Sequence, residues 1–138
     1  MKNPHSIIIQ PHITEKSVAQ SYGDERSAQK RLLNEAKATR KTDGKKTAPP
    51  RVTEEDLVRK YTFIVARDAN KIEIKQALES IYNEGRKPDQ AIKIQSVHTV
   101  KVLGKKRRRG QKSTGYEPDR KKAIVTLAKG QMLEDYGV

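Results

Sequence analysis

The chain contains no cysteine, no tryptophan and a single phenylalanine. Without cysteine there are no disulfides, no thiolate metal sites and no thiol nucleophile, a composition that fits a reducing compartment. Apolar residues make up 33% of the 138 and charged residues 34%, where about 45–50% and about a quarter are usual. The core must therefore be small and built from Ile, Val, Leu and Ala, although roughly a hundred residues suffice to bury one. This length fits one domain, or one domain with an appendage. No apolar run approaches the ~18 residues of a membrane span, and Ser6 to Ile9 is too short for the apolar part of a signal peptide. A soluble chain without membrane insertion is expected.

Catalytic patterns are scarce as well. His5, His12 and His98 stand far apart, no paired-histidine metal motif occurs, and no serine lies in a nucleophile elbow. The stretch Gly110 to Tyr116 has the glycine density of a phosphate loop but lacks the Lys-Ser/Thr pair after its second glycine. A turn or hydrogen-bonding role for His12 and a strand-face role for His98 are the simpler readings. Neither an enzyme nor a cofactor or metal site is expected.

Positive charge is what the chain does have. Its formal net charge is +13, and the segment Lys101 to Lys122 alone carries ten basic residues against Glu117 and Asp119, a net +8. Five consecutive cations, Lys105, Lys106, Arg107, Arg108 and Arg109, repel one another on a free protein, so their natural counter-charge lies elsewhere. A polyphosphate backbone suits that role, and guanidinium forks suit bidentate phosphate contacts. An anionic membrane surface, a solvated charge tract and a localisation-type signal are the competing readings. Gly104, Gly110, Gly115 and Pro118 punctuate the segment, with Val100 and Val102 before it and Ala123, Val125 and Leu127 after it. This predicts two strands joined by a long cationic loop over 104–119, whose glycines let the backbone approach phosphates.

The remaining elements follow from local pattern. Ser6 to Gln10 reads as a strand closed by Pro11. Thr14 caps a short helix that weakens at Gly23. From Gly23 to Arg59 the chain becomes polar and mixed in charge, which predicts an insertion: a marginal surface helix over Arg26 to Arg40, a linker over Lys41 to Arg51, and a helical turn after Thr53. Tyr61 to Ala66 reads as a strand. Asn70 to Glu73 forms a capping box, followed by Ile74, Ala77, Leu78, Ile81 and Tyr82 on one helical stripe. Ala91 to Leu103 alternates through Ile92, Ile94, His98, Val100 and Val102, a long strand with one buried face, and Lys121 to Leu127 is the last strand. The expected class is α+β: a small, mostly antiparallel four-stranded sheet with helices packed on it.

These pieces together resemble the L-twenty-three family of large-subunit ribosomal proteins. The matching stretches are Pro11-His12-Ile13-Thr14-Glu15-Lys16, Ala66 to Lys71 with Glu73-Ile74-Lys75, Gly104 to Gln111, Asp119 to Leu127, and Gly130-Gln131. Their order and spacing carry the resemblance, which spans Ile8 to Ala19 and Tyr61 to about Leu133 and skips the segment 23–59. That segment replaces a much shorter connection, Arg120 stands where many members have Trp, and the turn 83–90 is longer than in many relatives.

The resemblance implies a protein seated on large-subunit rRNA beside the exit of the nascent-peptide tunnel, among neighbouring ribosomal proteins. The loop matching Gly104 to Asp119 reaches toward the tunnel in bacterial members. The expected RNA contacts are His12, Lys16, Lys101, Gly104, Lys105, Lys106, Arg107, Arg108, Arg109, Gly110, Gln111, Lys112, Arg120, Lys121 and Lys122. Thr14, Glu15, Asn83 and Glu84 are expected on a docking surface for trigger factor, with signal recognition particle and the protein-export channel in the same neighbourhood. The location implied is the cytoplasm, on the ribosome, or an organellar ribosome. A free-standing RNA- or DNA-binding regulator is the rival. Such a protein reads single strands with aromatics on one sheet face, and only Tyr61 and Phe63 are candidates.

Overall fold

In the computed structural model, residues 2–39 and 50–136 are described. The elements run α1 (Pro4–Ile7), β1 (Ile8–Pro11), α2 (Glu15–Ser21), α3 (Glu25–Thr39), β2 (Lys60–Val65), α4 (Lys71–Asn83), β3 (Ile94–Val102), β4 (Lys106–Arg109), β5 (Ser113–Tyr116) and β6 (Arg120–Leu127). Four strands form an antiparallel sheet in the order β1-β2-β6-β3, and β4 pairs with β5 in a separate two-stranded ribbon. This is the expected α+β sheet, and the span read as a loop is folded into a hairpin.

The first strand starts later than the apolar run suggests. Pro4 at the first helical position and Asn3, whose side chain accepts the His5 N–H at 3.0 Å, turn Ser6 and Ile7 into the end of α1. β1 is an edge strand, so Pro11 is tolerated as its last residue, opposite Phe63. Thr14 caps α2 reciprocally with Ser17, their bonds measuring 2.7 and 3.3 Å.

α4 is the helix its stripe predicts. Glu73 takes the Asn70 N–H at 2.8 Å, Ile74, Ala77 and Leu78 are buried, and Ile81 and Tyr82 are half-buried. The stripe packs on the sheet face formed by Tyr61, Phe63, Val65, Ala123, Val125 and Leu127. Tyr61 and Phe63 are thus core residues, 2% and 1% exposed, and not a stacking surface.

β3 departs from the alternation expected of it. A bulge between Ile94 and Ser96 adds one residue to the strand, so the buried set passes from Ile92 and Ile94 to Val97. His98, Val100 and Val102, expected on the buried face, therefore lie on the open one.

The segment from Gly23 onward is anchored on the domain. Ala28 of α3 is buried, the Arg31 guanidinium donates to the Asp56 carbonyl at 3.3 Å, and Gly23 packs on Leu57. The turn expected after Thr53 is present over Glu54–Asp56. The linker expected over 41–51 lies, apart from Pro50 and Arg51, outside the described residues.

The C-terminal tail closes the core. Leu133 is buried, and the Tyr136 hydroxyl accepts the Thr62 N–H at 3.3 Å and lies 2.9 Å from the His12 carbonyl. Its ring packs edge-on against Tyr61 and Phe63, with centroids 4.7 and 5.7 Å away.

Candidate nucleic-acid interface

The β4–β5 ribbon continues β3 and β6 beyond the end of the sheet. Its root is fixed by three backbone features. The Glu117 N–H donates to the Lys105 carbonyl at 2.9 Å, the Gly104 N–H donates to the Asp119 carboxylate at 2.7 Å, and Gly104 is pressed against the Glu117 carbonyl. The expected close approach at Gly104 is thus made to the chain itself. Gly110 adopts φ +76° in the turn, a conformation that glycine reaches without strain.

Every residue of both ribbon strands is exposed. The pairs are Lys106 with Tyr116, Arg107 with Gly115, Arg108 with Thr114, and Arg109 with Ser113. Successive residues face opposite sides, so cations occupy both faces. Arg107 forms an exposed ion pair with Glu117 at 2.9 Å, a contact of small energetic weight in water. Arg108 folds back on the turn, donating to the carbonyls of Gly110 at 3.2 Å and Gln111 at 2.7 Å. The side chains of Lys105, Lys106, Arg109 and Lys112 have no hydrogen-bond or ion-pair partner among the described residues. Both acids of the segment are engaged inside it, which leaves those four charges uncompensated.

A second basic group lies at the root of the ribbon, on the open face of the sheet. Gln10, Ile64, Lys122 and Val100 form one transverse row, and Arg120 stands opposite Val102. His12 follows β1 on the same side, and its pKa is lowered, first by burial and then by the positive charges of Lys122 and Arg120. Lys16 is exposed on α2, which packs against β2.

Lys101 and Lys121 pair on the opposite face, where they differ in availability. Lys101 is exposed, whereas the half-buried Lys121 ammonium donates to the carbonyls of Ala69 at 2.7 Å and Arg67 at 3.3 Å. Lys121 holds the turn that precedes α4.

The expected docking residues come from two elements. Thr14 and Glu15 are exposed at the start of α2. Asn83, at the end of α4, is half-buried and clasps Ile92: its side chain accepts the Ile92 N–H at 2.6 Å and donates to the Ile92 carbonyl at 3.1 Å. Glu84 beside it is exposed.

One residue of the interface escaped the sequence reading. Tyr116 is 76% exposed on the ribbon, directly opposite Lys106. Its signal was an aromatic residue inside a glycine-rich cationic segment. Val100, Val102 and Leu103 add exposed apolar surface near the root. Among the described residues no group of three or more His, Cys, Asp or Glu side chains is placed to hold a metal ion, and no helix is long and apolar enough to cross a membrane.

A compact sheet-and-helix platform that projects a bare cationic ribbon defines a class of small basic proteins suited to a polyanionic partner. Comparison with known proteins makes this specific. Residues 45–134 match the family model described as Ribosomal protein L23, and the chain belongs to that family. The match leaves out Pro11 to Lys16. The chain is 45% identical over 89 residues to "Large ribosomal subunit protein uL23" of Roseiflexus castenholzii, covering 62% of this chain and 85% of the relative. The protein of that name from Pelobacter propionicus is 43% identical over 94 residues, covering 64% and 90%. That of Endomicrobium trichonymphae is 44% identical over 75 residues, covering 54% and 70%.

Proposed function

We propose that this chain is a structural constituent of the large ribosomal subunit, that it binds large-subunit rRNA beside the polypeptide exit tunnel, and that it offers a docking surface for nascent-chain factors. The observation that carries the reading is the ribbon: the side chains of Lys105, Lys106, Arg109 and Lys112 have no partner among the described residues, on a member of a ribosomal protein family. Phosphate contacts from these side chains, and from Arg120 and Lys122 at the root, supply most of the affinity, while rRNA shape supplies specificity. Arg107, Arg108 and Gln111 shape the ribbon and its turn as well as meeting RNA. His12, Lys16 and Lys101 are secondary contacts. Glu15, with Thr14, belongs to the surface for trigger factor, signal recognition particle docks nearby, and Glu84 extends that surface. The segment 23–59 is a lineage-specific addition to the ribosomal domain. The protein works on the ribosome in the cytoplasm, and no reaction is assigned to it.

Sedimentation tests the reading. Lysate is run on a sucrose gradient and the chain is followed through a high-salt wash. Co-migration with the large subunit that survives the wash is expected, because a shape-fitted site holds where loose charge attraction is screened. A chain that stays at the top of the gradient, or leaves at modest salt, would instead be a free-standing nucleic-acid binder.

A further inference from the structure

An isolated two-stranded hairpin is at best marginally stable in water, and β4–β5 has no core of its own, since all eight strand residues are exposed. Its two faces nonetheless differ in chemistry. The pairing register puts Lys106, Arg108, Thr114 and Tyr116 on one face and Arg107, Arg109, Ser113 and Gly115 on the other. The second face is smooth and cationic: a side chain placed at Gly115 would meet nothing within 4 Å. The first holds the ribbon's one aromatic ring.

Tyr116 has no structural employment. Its ring is 76% exposed, and among the described residues neither another ring nor a hydrogen-bond partner engages it. Tyr61, Tyr82 and Tyr136, by contrast, all pack in or against the core. Arg108, the other cation on its face, is turned away to the carbonyls of Gly110 and Gln111. Lys106 remains, directly across the ladder, where opposing Cβ atoms stand about 5 Å apart. An uncovered ring with an unpaired ammonium beside it matches a nucleotide: the base stacks on the ring and its phosphate takes the charge.

We propose that Tyr116 is a stacking platform for an unpaired base of bound RNA, with Lys106 on the adjoining phosphate, while Arg107 and Arg109 on the reverse face track the backbone without reading bases. The ribbon then has a base-contacting side and a phosphate side. This rests on the RNA-binding reading above and assigns that site a single-stranded or bulged nucleotide as its ligand.

The test uses the full chain with two probes, a single-stranded oligoadenylate of about ten nucleotides and long-chain inorganic polyphosphate, which carries charge without bases. Tyr116→Leu should lose about 5- to 150-fold in affinity for the oligoadenylate, the fold-change that corresponds to one stacked base. Affinity for polyphosphate should stay unchanged, and Tyr116→Phe should bind both probes as the wild type does. Equal losses on both probes would mean that the ring only shapes the ribbon, and would overturn the proposal. Unchanged oligoadenylate binding by Tyr116→Leu would overturn it too, leaving the ring for another surface such as a peptide. If the wild-type chain binds neither probe, the RNA-binding reading itself falls.

Discussion

Gly104 lies so close to Glu117 that a Cβ on it would stand 1.7 Å from the Glu117 carbonyl oxygen. Here the two chains leaving the sheet touch before the ribbon begins. Because the obstacle is backbone, a side chain at 104 forces the root apart and breaks the Glu117-to-Lys105 and Gly104-to-Asp119 bonds. Gly104→Ala should therefore weaken rRNA binding through misaimed cations, and should lower Tm little, since the root lies outside the core. Filter binding and a thermal melt of the same variant check both halves.

Adjacent arginines should behave differently. The Arg109 guanidinium has no partner among the described residues, whereas that of Arg108 holds the turn. Arg109→Ala should leave stability within about 0.5 kcal/mol and reduce the slope of log affinity against log salt by about 0.7–0.9, the signature of one lost phosphate contact. Arg108→Ala should in addition release the turn, seen as faster amide exchange at Gly110 and Gln111. Identical exchange in the two variants would remove the turn-holding role.

Asn83 and Glu84 should separate stability from docking. Asn83→Ala removes both bonds to Ile92, at a cost of about 1–3 kcal/mol and several degrees of Tm. Glu84→Ala and Glu15→Ala, at exposed positions, should leave Tm unchanged and reduce binding of a trigger-factor-like partner. Calorimetry and a partner pull-down distinguish these effects. Unchanged partner affinity in both charge variants would dismiss the docking assignment.

His12 gives a pH dependence of defined sign. Its folded pKa is lowered from 6.5 by burial and by Lys122 and Arg120, so the unfolded chain takes up the proton first as pH falls. The group's contribution to stability is present above the unfolded value and is lost as pH falls through the folded one. Melts at about pH 7.5 and about pH 5 should show this loss in the wild type and a flatter profile in His12→Gln. A phosphate bound beside His12 opposes the shift, so the RNA complex should retain more stability at the lower pH than the free chain.

The parts of the fold legible in the sequence are those governed by short periods. The stripe from Ile74 to Tyr82 and the strand Ala123 to Leu127 repeat at 3.6 and 2, and the structure packs them as read. The bulge in β3 was hidden because Ile92, Ile94, Val100 and Val102 keep even spacing across it, so nothing in the alternation signals a change of phase. The ribbon was hidden because a bare cationic hairpin shows no apolar alternation. For the interface, charge located the region but not the availability of each cation. Lys121 and Arg108 spend their donors on nearby carbonyls, and Asn83 clasps a residue nine positions away. Only the folded chain reveals such pairings, and the same holds for Tyr136 beneath His12, 124 residues apart.

The added residue in β3 works as a phase element between two parts that share one strand. Upstream of it, Ile92 and Ile94 are held by the core, and downstream the strand pairs with β6 and aims the ribbon. Shortening the strand by one position at Gln95 would leave no setting that satisfies both ends. Either the isoleucines turn to solvent, or the downstream half rolls over and the ribbon presents Arg107 and Arg109 where Lys106 and Tyr116 now stand. One backbone irregularity, between Ile94 and Ser96 at the end of β3 away from the ribbon, thus sets which side of the ribbon is offered to a ligand.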